Sequence, residues 1–211
     1  MSDNKTLLRF NIKNAKYALE TDSGYGTPVP FGYSDSIALE ADYAEKVIYG
    51  DGKKVLTLPN DKGKTGTLTL LTLDEEYEIA MKRRMQIAVG IAEIKQLASV
   101  RHAIYFETEY TEEDGNMKTA KTVVYGVTSG RPSQTYNQTT EDINNNNTEY
   151  PLTIKGVPLM SEDGKTPYVD ENGNTVYVWQ ETVIPGDAGY TDFGKTIVAP
   201  KAAPASSPTD L

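Results

Sequence analysis

The strongest chemical signature in the sequence is the segment Gly189–Thr196, which reads GYTDFGKT. It fits the pattern G-x-x-x-x-G-K-[ST] of the phosphate-binding P-loop, in which a lysine contacts the phosphates of a nucleotide. That chemistry needs a helix directly after the loop, because the helix N-terminus holds the phosphate. The next residues are Ile197–Pro200, which leave no room for a helix of useful length. We therefore expect a turn here and keep a nucleotide site at Lys195 as a distant alternative.

A pair of acids is the second candidate for chemistry. Glu107 and Glu109 share one face of a predicted strand, and paired carboxylates carry out acid–base chemistry in glycosidases. Acids on a strand face are far more often solvated, so we expect surface here. The chain has one histidine, His102, on an apolar strand face, and no cysteine, which leaves zinc and catalytic-triad chemistry little support. We predict a protein that is not an enzyme and that needs no metal or cofactor.

Composition narrows the class of protein further. The chain has 211 residues, enough for one substantial β domain, and a formal net charge of −9. Such an acidic chain should not hold DNA tightly, because non-specific DNA binding depends on Lys and Arg at phosphates. The N-terminus has no apolar core of signal-peptide length, and no apolar run of about 18 residues occurs. We therefore expect synthesis in the cytoplasm and no insertion into a membrane.

The best-signalled secondary structure runs from Thr65 to Met85 and predicts a strand that leads directly into a helix. Alternation up to Leu70 predicts the strand, and the spacing from Thr72 to Glu75 predicts a capping box at the start of the helix. Acidic residues crowd the first turns of this helix and basic residues the last, the order that a helix dipole favours. Three apolar residues at four-residue spacing predict core packing: Tyr77, Met81 and Met85.

The remaining pattern is mostly strand. The segment Gln86–Ser99 fits a strand and a short helix equally well. Strong turn residues at Asp170–Asn174 predict a hairpin between Tyr168-Val169 and Val176–Trp179 rather than a calcium loop. The other predicted strands are Arg9–Lys13, Ser36–Asp42, the long hairpin of Arg101–Tyr110 with Lys118–Val127, and Glu149–Gly156.

A long insert separates two of these strands. Residues 43–64 read as a projecting hairpin around the turn Gly50–Gly52. A lone two-stranded hairpin is marginal in water, so we expect a partner surface to support it. We divide the chain into a flexible arm at residues 1–8, a single β domain at residues 9–199 and a disordered tail at residues 200–211. The candidate contact residues of the insert are Lys46, Tyr49, Asp51, Lys53 and Lys54.

The order of these segments carries a family resemblance. The segments, which together extend from about Leu8 to Pro158, are Asn14–Leu19, Tyr25–Pro28, Ser36–Glu40, the strand–helix Gly66–Met85, Arg101–Pro132 and Thr148–Pro158. No single motif among them is specific, whereas the ordered set is. The series resembles the major tail protein family of long non-contractile-tailed bacteriophages (siphophages), whose members are the subunits of the tail tube.

The resemblance implies a mainly β fold: a β-sandwich or barrel-like arrangement of two roughly orthogonal sheets, with one flanking α-helix and long projecting loops. It also implies hexameric rings that stack into a tube in the virion, around a lumen through which DNA passes during genome ejection. The implied partners are other copies of the chain, the tape measure protein, the tail terminator and distal tail proteins. An acidic lumen would let DNA slide. The candidate lumen-facing acids are Glu40, Asp42, Glu107 and Glu109.

A second interpretation is a monomeric β-sandwich that binds a surface carbohydrate or a protein. It would use Trp179, the only tryptophan of the chain, together with some of the 14 tyrosines. The two interpretations differ in self-association, since only a tube subunit has to form rings.

Overall fold

The computed structural model describes residues 8–111, 115–134 and 147–203. These ranges form a mainly β fold with one short helix, α1 (Glu75–Ala80), which confirms the predicted fold class. The arm predicted at residues 1–8 and the tail predicted at residues 200–211 lie mostly outside the described residues. The strands are β1 (Leu8–Thr21), β2 (Gly24–Tyr25), β3 (Val29–Pro30), β4 (Ser34–Gly50), β5 (Lys53–Leu70), β6 (Arg84–Gln86), β7 (Ile91–Glu93), β8 (His102–Thr111), β9 (Met117–Ser129), β10 (Thr148–Ile154), β11 (Val157–Pro158), β12 (Tyr177–Val178) and β13 (Gln180–Val183).

Nine strands join in one antiparallel sheet in the order β2-β1-β8-β9-β10-β5-β4, with β3 on β1 and β13 on β9. The sheet is continuous because β10 pairs with β5 on one side and with β9 on the other. It curls over its own core until β1 and β4 approach each other. Ile12 of β1 and Ile37 of β4 line one cavity of about 280 Å³ at that seam. The two implied sheets are thus joined by hydrogen bonds into a single curled sheet.

The sheet is buried on both faces where β8 lies. Alternate residues of a strand point to opposite faces, and Ile104 and Phe106 contribute to the main core inside the curl. Ala103 and Tyr105 point to the outer face and pack in a second apolar cluster with Ile197. The C-terminal part of the chain therefore folds back over the outer face of β8.

Helix α1 begins later than the sequence predicts. Its N-cap is Asp74, whose Oδ1 accepts a hydrogen bond from the Tyr77 amide at 3.0 Å, so the predicted capping box of Thr72 and Glu75 is wrong. The second oxygen of Asp74 accepts a hydrogen bond from the Gly32 amide at 2.9 Å. Asp74 thus caps the helix and ties it to the loop before β4, a long-range contact that local spacing does not reveal.

The helix also ends earlier than predicted, at Ala80. Lys82 has a φ of 57°, in the left-handed region that a continuing helix excludes. Tyr77 and Met81 are buried in the main core, but Met85 belongs to β6 and is 47% exposed. The prediction that Met85 packs in the core is wrong, because the helical spacing on which it rests stops before that residue.

The structure settles three other segments. The long predicted hairpin is confirmed as β8 and β9, and the ambiguous segment after α1 forms the short β6–β7 hairpin. The hairpin predicted around Asp170–Asn174 is present but short: Val169 bridges Thr175, and the Val176 amide donates to the Tyr168 carbonyl at 3.1 Å. Beyond it, β12 pairs with β11 and β13 with β9, so the predicted extension of the hairpin to Trp179 is wrong. Pro200 still hydrogen-bonds to Met160, past the predicted start of the tail.

Candidate functional site

The outer part of the β4–β5 pair projects from the domain. The two strands pair from Ser34 opposite Leu70 to Gly50 opposite Lys53. The turn residues Asp51 and Gly52 have φ values of 50° and 74°, as a type I′ hairpin turn requires. We call residues 43–61 the outer hairpin; from Tyr43 to the turn it extends roughly 26 Å at 3.3 Å per residue. None of its described side chains belongs to either core cluster.

The outer hairpin is not an insert between two strands, as the sequence suggests, but the continuation of both. A register shift between Ala41 and Tyr43 marks the point at which the pair leaves the domain. Such bulges bend a strand and turn its side chains. All five predicted contact residues, Lys46, Tyr49, Asp51, Lys53 and Lys54, are exposed on the outer hairpin.

Apolar side chains of the outer hairpin face solvent. Ile48 lies opposite Leu56, and Lys46 opposite Leu58, so these four share one face of the ladder. Ile48, Leu56 and Leu58 are 39%, 48% and 43% exposed. Contiguous exposed apolar patches, unlike single exposed side chains, mark contact surfaces on soluble proteins.

The outer hairpin and its base also differ in charge from the rest of the chain. Residues 43–64 contain five lysines and three acids, a net charge of +2, whereas the whole chain carries −9. The remaining residues therefore carry −11. A basic projection on an acidic protein is electrostatically complementary to the body of another copy.

The free edge of β4 adds a second contact feature. β4 is the last strand of the sheet and, among the described residues, pairs only with β5 over its 17 residues. An exposed strand edge offers unpaired amide and carbonyl groups to another chain. The edge and the outer hairpin are continuous because both belong to β4.

Two of the predicted lumen acids, Glu107 and Glu109, are held by bulges in β1. Asn11 and Asn14 have φ values of 51° and 50° and lie within the two register shifts of β1 against β8. Their side-chain amides donate to Glu109 and to Glu107, each at 2.7 Å. Hydrogen bonds from Lys13 and Asn11 hold the pKa of Glu109 below its ordinary value. Both carboxylates therefore already accept hydrogen bonds within the subunit.

The other two predicted lumen acids lie on β4. Glu40 is exposed opposite Thr65, and Asp42 is half-buried within the register shift that begins the outer hairpin. In the sheet β4 and β8 do not pair with each other, although Ile37 of β4 and Phe106 of β8 line the same cavity at the seam. The four acids thus lie on two strands that do not pair, and a shared lumen face stays a prediction about the assembled protein.

A buried polar network fixes α1 to the sheet. Arg83 is fully buried and pairs with Glu78 at 2.6 Å, while its Nη1 donates to the Ser129 carbonyl at 2.9 Å. The Tyr77 hydroxyl donates to Ser129 Oγ at 2.7 Å and lies 3.0 Å from His102 Nε2. Burial lowers the pKa of His102 to about 4, so the imidazole is neutral at pH 7. The two opposite charges of the network pair with each other, which indicates a structural role.

The P-loop-like segment folds as turns. Lys195 pairs with Asp192 at 2.7 Å, and no helix follows it within the described residues. Gly194 has a φ of 83°, and a Cβ there would lie 2.1 Å from the ring of Tyr105. The glycine of the motif is therefore required by packing against β8, and the helix that would hold a phosphate is missing from this part of the chain.

Sequence reasoning missed one exposed surface. The β6–β7 hairpin and the loop after it expose Val89 and Leu97, both to 89%, together with Ile87 and Met85. The only sequence signal was the apolar run itself, which is typical of a buried segment. Exposure of such a run is visible only once the neighbouring elements are placed.

Comparisons with known proteins add little to this geometry. No protein-family model matches the sequence, and no curated protein matches it. A chain from the cryo-EM structure of the anti-feeding prophage baseplate, 6-fold symmetrised, is similar with a TM-score of 0.36 and 5% identity, over 87% of this chain and 95% of that chain. So loose an overlap carries no functional argument. Within the described residues, no helix has the length and apolarity of a membrane span, and no cluster of His, Cys, Asp and Glu could hold a metal.

Proposed function

We propose that this chain is a structural subunit of a phage tail tube and not an enzyme. Its copies would polymerise as stacked hexameric rings around a lumen through which DNA passes. The observation that carries the proposal is the outer hairpin, a two-stranded ladder with exposed apolar side chains that joins neither core cluster of the described residues. Isolated ladders of this kind are marginal in water. Contact with a neighbouring subunit would supply the missing apolar cover.

The free edge of β4 supports the same proposal. Pairing of β4 with a neighbour in the ring would satisfy its open side, and the outer hairpin of the same strand would reach the next ring. The net +2 of residues 43–64 against −11 elsewhere favours contact with another copy. The number six comes from the family resemblance alone.

Passage of DNA accounts for the acidic composition. A net charge of −9 per subunit repels phosphate, so a tube of such subunits would let DNA slide without binding it. Glu40 and Asp42 are the better lumen candidates, because Glu109 is already paired with Lys13. In this role the protein would belong to the virion and meet the tape measure protein, the tail terminator and distal tail proteins.

Negative-stain electron microscopy of the purified chain at rising concentration tests the proposal. A tube subunit forms rings or hollow tubes as the concentration increases, because edge and hairpin contacts follow mass action. A particle that stays monomeric at every concentration would favour the monomeric binding module instead.

A further inference from the structure

A pocket of about 270 Å³ opens at the base of the outer hairpin, where β5 meets the loops around β12. It combines two aromatic rings, two lysines and one carboxylate. Its volume lies just below the roughly 300 Å³ at which small-molecule sites begin, so it suits a ligand of one or two rings. The lining residues are Asp61, Lys62, Gly63, Lys155, Tyr177 and Trp179.

Close backbone approaches fix the walls of this pocket. Gly63 has a φ of 103°, and a Cβ on it would lie 2.3 Å from the Ile154 carbonyl oxygen. Gly156 has a φ of 68°, and a Cβ on it would lie 2.5 Å from Trp179 Cδ1. The Trp179 carbonyl accepts a hydrogen bond from the Tyr125 amide at 2.9 Å. The wall that carries Trp179 is therefore held against the sheet before any ligand arrives, and preformed walls limit the entropy lost on binding.

The aromatic side chains present apolar surface to the pocket. Trp179 is half-buried against the main core, and Tyr177, two residues before it, is 56% exposed. A flat ring of this kind offers apolar area with a polar edge, which suits ligands that are apolar on one face and hydroxylated around the rim. Sugar rings have this character.

The charged side chains select among such ligands. Lys155 Nζ donates one hydrogen bond, to the Lys62 carbonyl at 2.9 Å, which leaves two of its three N–H donors. Asp61 Oδ1 accepts from the Gly63 amide at 3.0 Å. Two lysines and one partly engaged carboxylate thus line the pocket, which makes it a net positive site on a protein of net charge −9. Ammonium–carboxylate hydrogen bonds are stronger than neutral ones, so an anionic ligand is favoured.

We propose that this pocket binds a saccharide that carries a carboxylate, with a sugar ring stacked on Trp179 and Tyr177 and the carboxylate paired with Lys155 and Lys62. This binding activity goes beyond the proposed tube function and does not depend on it. It would give the chain an affinity for acidic polysaccharide in addition to its role in assembly.

The fluorescence of Trp179 reports on the pocket directly, because the chain has no other tryptophan. The full chain is titrated with digalacturonate and with the neutral digalactose of the same linkage. We expect a saturable change of emission with a dissociation constant on the order of 1 mM for the acid, and about tenfold weaker binding for the neutral sugar. No saturable change with either sugar overturns the proposal, as does equal binding of both.

Matched variants locate the binding. Tyr177→Ala and Lys155→Met should each weaken digalacturonate binding about tenfold, since each removes one wall or one cation. The controls are Tyr168→Ala and Lys165→Met, two exposed residues outside the pocket, which should leave binding unchanged. Equal loss in pocket and control variants would contradict the site.

The same signal distinguishes a competing occupant. If Trp179 emission changed on ring formation without sugar and sugar no longer bound, a second copy would fill the pocket and the saccharide proposal would be wrong. Rings with a Trp179 that responds to neither assembly nor sugar would keep the tube proposal and reject only the saccharide site.

Discussion

Along β5, residues Leu68 and Leu70 are completely buried, whereas Leu56 and Leu58 on the same strand are 48% and 43% exposed. Both pairs lie in the same antiparallel ladder with β4, so their backbone hydrogen bonding is alike. The inner half is covered by the core and α1, whereas the outer half belongs to no core cluster of the described residues. Backbone pairing alone does not stabilise a ladder, so the outer half points to a partner.

The inner and outer regions also differ in whether their charged side chains are buried or exposed. Near the inner half, Arg83 and Glu78 are buried and paired with each other. On the outer hairpin the lysines, including Lys53 and Lys54, are exposed. Charge that is paired inside the subunit cannot direct association, whereas charge left at the surface is available to do so.

The largest effect is expected in the inner region, from Arg83→Ala. Removal of the guanidinium leaves Glu78 buried without its partner, which costs about 3–5 kcal/mol of unfolding free energy. Urea denaturation followed by circular dichroism measures the loss. The control is Arg84→Ala, whose side chain is half-buried and 3.8 Å from Glu75, and which should cost less than about 1 kcal/mol. Equal losses in both variants would show that the buried pair does not secure α1.

A smaller effect is expected where the C-terminal turns cover β8. In Gly194→Ala the new methyl group would overlap the Tyr105 ring, so we expect a loss of about 2–3 kcal/mol from overlap and left-handed strain. Gly189→Ala is the matched control, because Gly189 has a φ of 79° but no atom within 4 Å of its Cβ position. It should lose only about 1 kcal/mol. If the two losses were the same, Gly194 would have no packing role.

A pH effect of about 2 kcal/mol is expected from His102. Its pKa is about 4 in the folded protein, against about 6.5 in the unfolded chain. The unfolded chain therefore binds more protons between these values, and stability is complete above pH 6.5 and falls as the pH decreases. Between pH 8 and pH 5 we expect the unfolding free energy to fall by about 2 kcal/mol from this residue. In His102→Gln this share should disappear, and an unchanged pH dependence would contradict the buried neutral imidazole.

The sequence predicted those features that local pattern controls. The alternation of β8 predicted the strand but not the cover over its second face, where Tyr105 is buried with Ile197, and Asp51-Gly52 predicted the turn of the outer hairpin. The end of α1 could not be predicted, because the basic run around Arg83 is typical of a helix C-terminus, whereas Arg83 in fact turns inward to Glu78. The fold of the C-terminal third could not be predicted either, because it depends on contacts between residues far apart in sequence, such as Gly194 and Tyr105.

Of the candidate site, the sequence predicted the outer hairpin and its exposed charges but not its continuity with β4 and β5. It also could not show that Glu109 is paired with Lys13, because the pairing depends on bulges in β1. The sequence also did not predict the pocket at Trp179, because the pocket forms only where β5 and the segment around β12 lie side by side.

The smallest effect on stability is expected on the outer hairpin. Leu56→Ala should change the unfolding free energy by less than about 0.5 kcal/mol, as exposed substitutions usually do. Leu68→Ala on the same strand is the matched control and should cost about 2–5 kcal/mol, because it leaves a cavity in the core. A large loss in Leu56→Ala would mean that the outer hairpin is supported within its own subunit.

The most direct test of the proposed assembly replaces Lys46–Leu58 with the flexible linker Gly-Ser-Gly-Ser, which joins the paired residues Glu45 and Pro59 and needs no backbone N–H from the proline. Negative-stain micrographs of this variant and of the full chain are compared at the same concentration, with circular dichroism as a check of folding. We predict long tubes from the full chain, and a folded variant that forms no long tubes because its ring-to-ring contact is gone. Tubes of normal length from the shortened variant would contradict the role assigned to the outer hairpin.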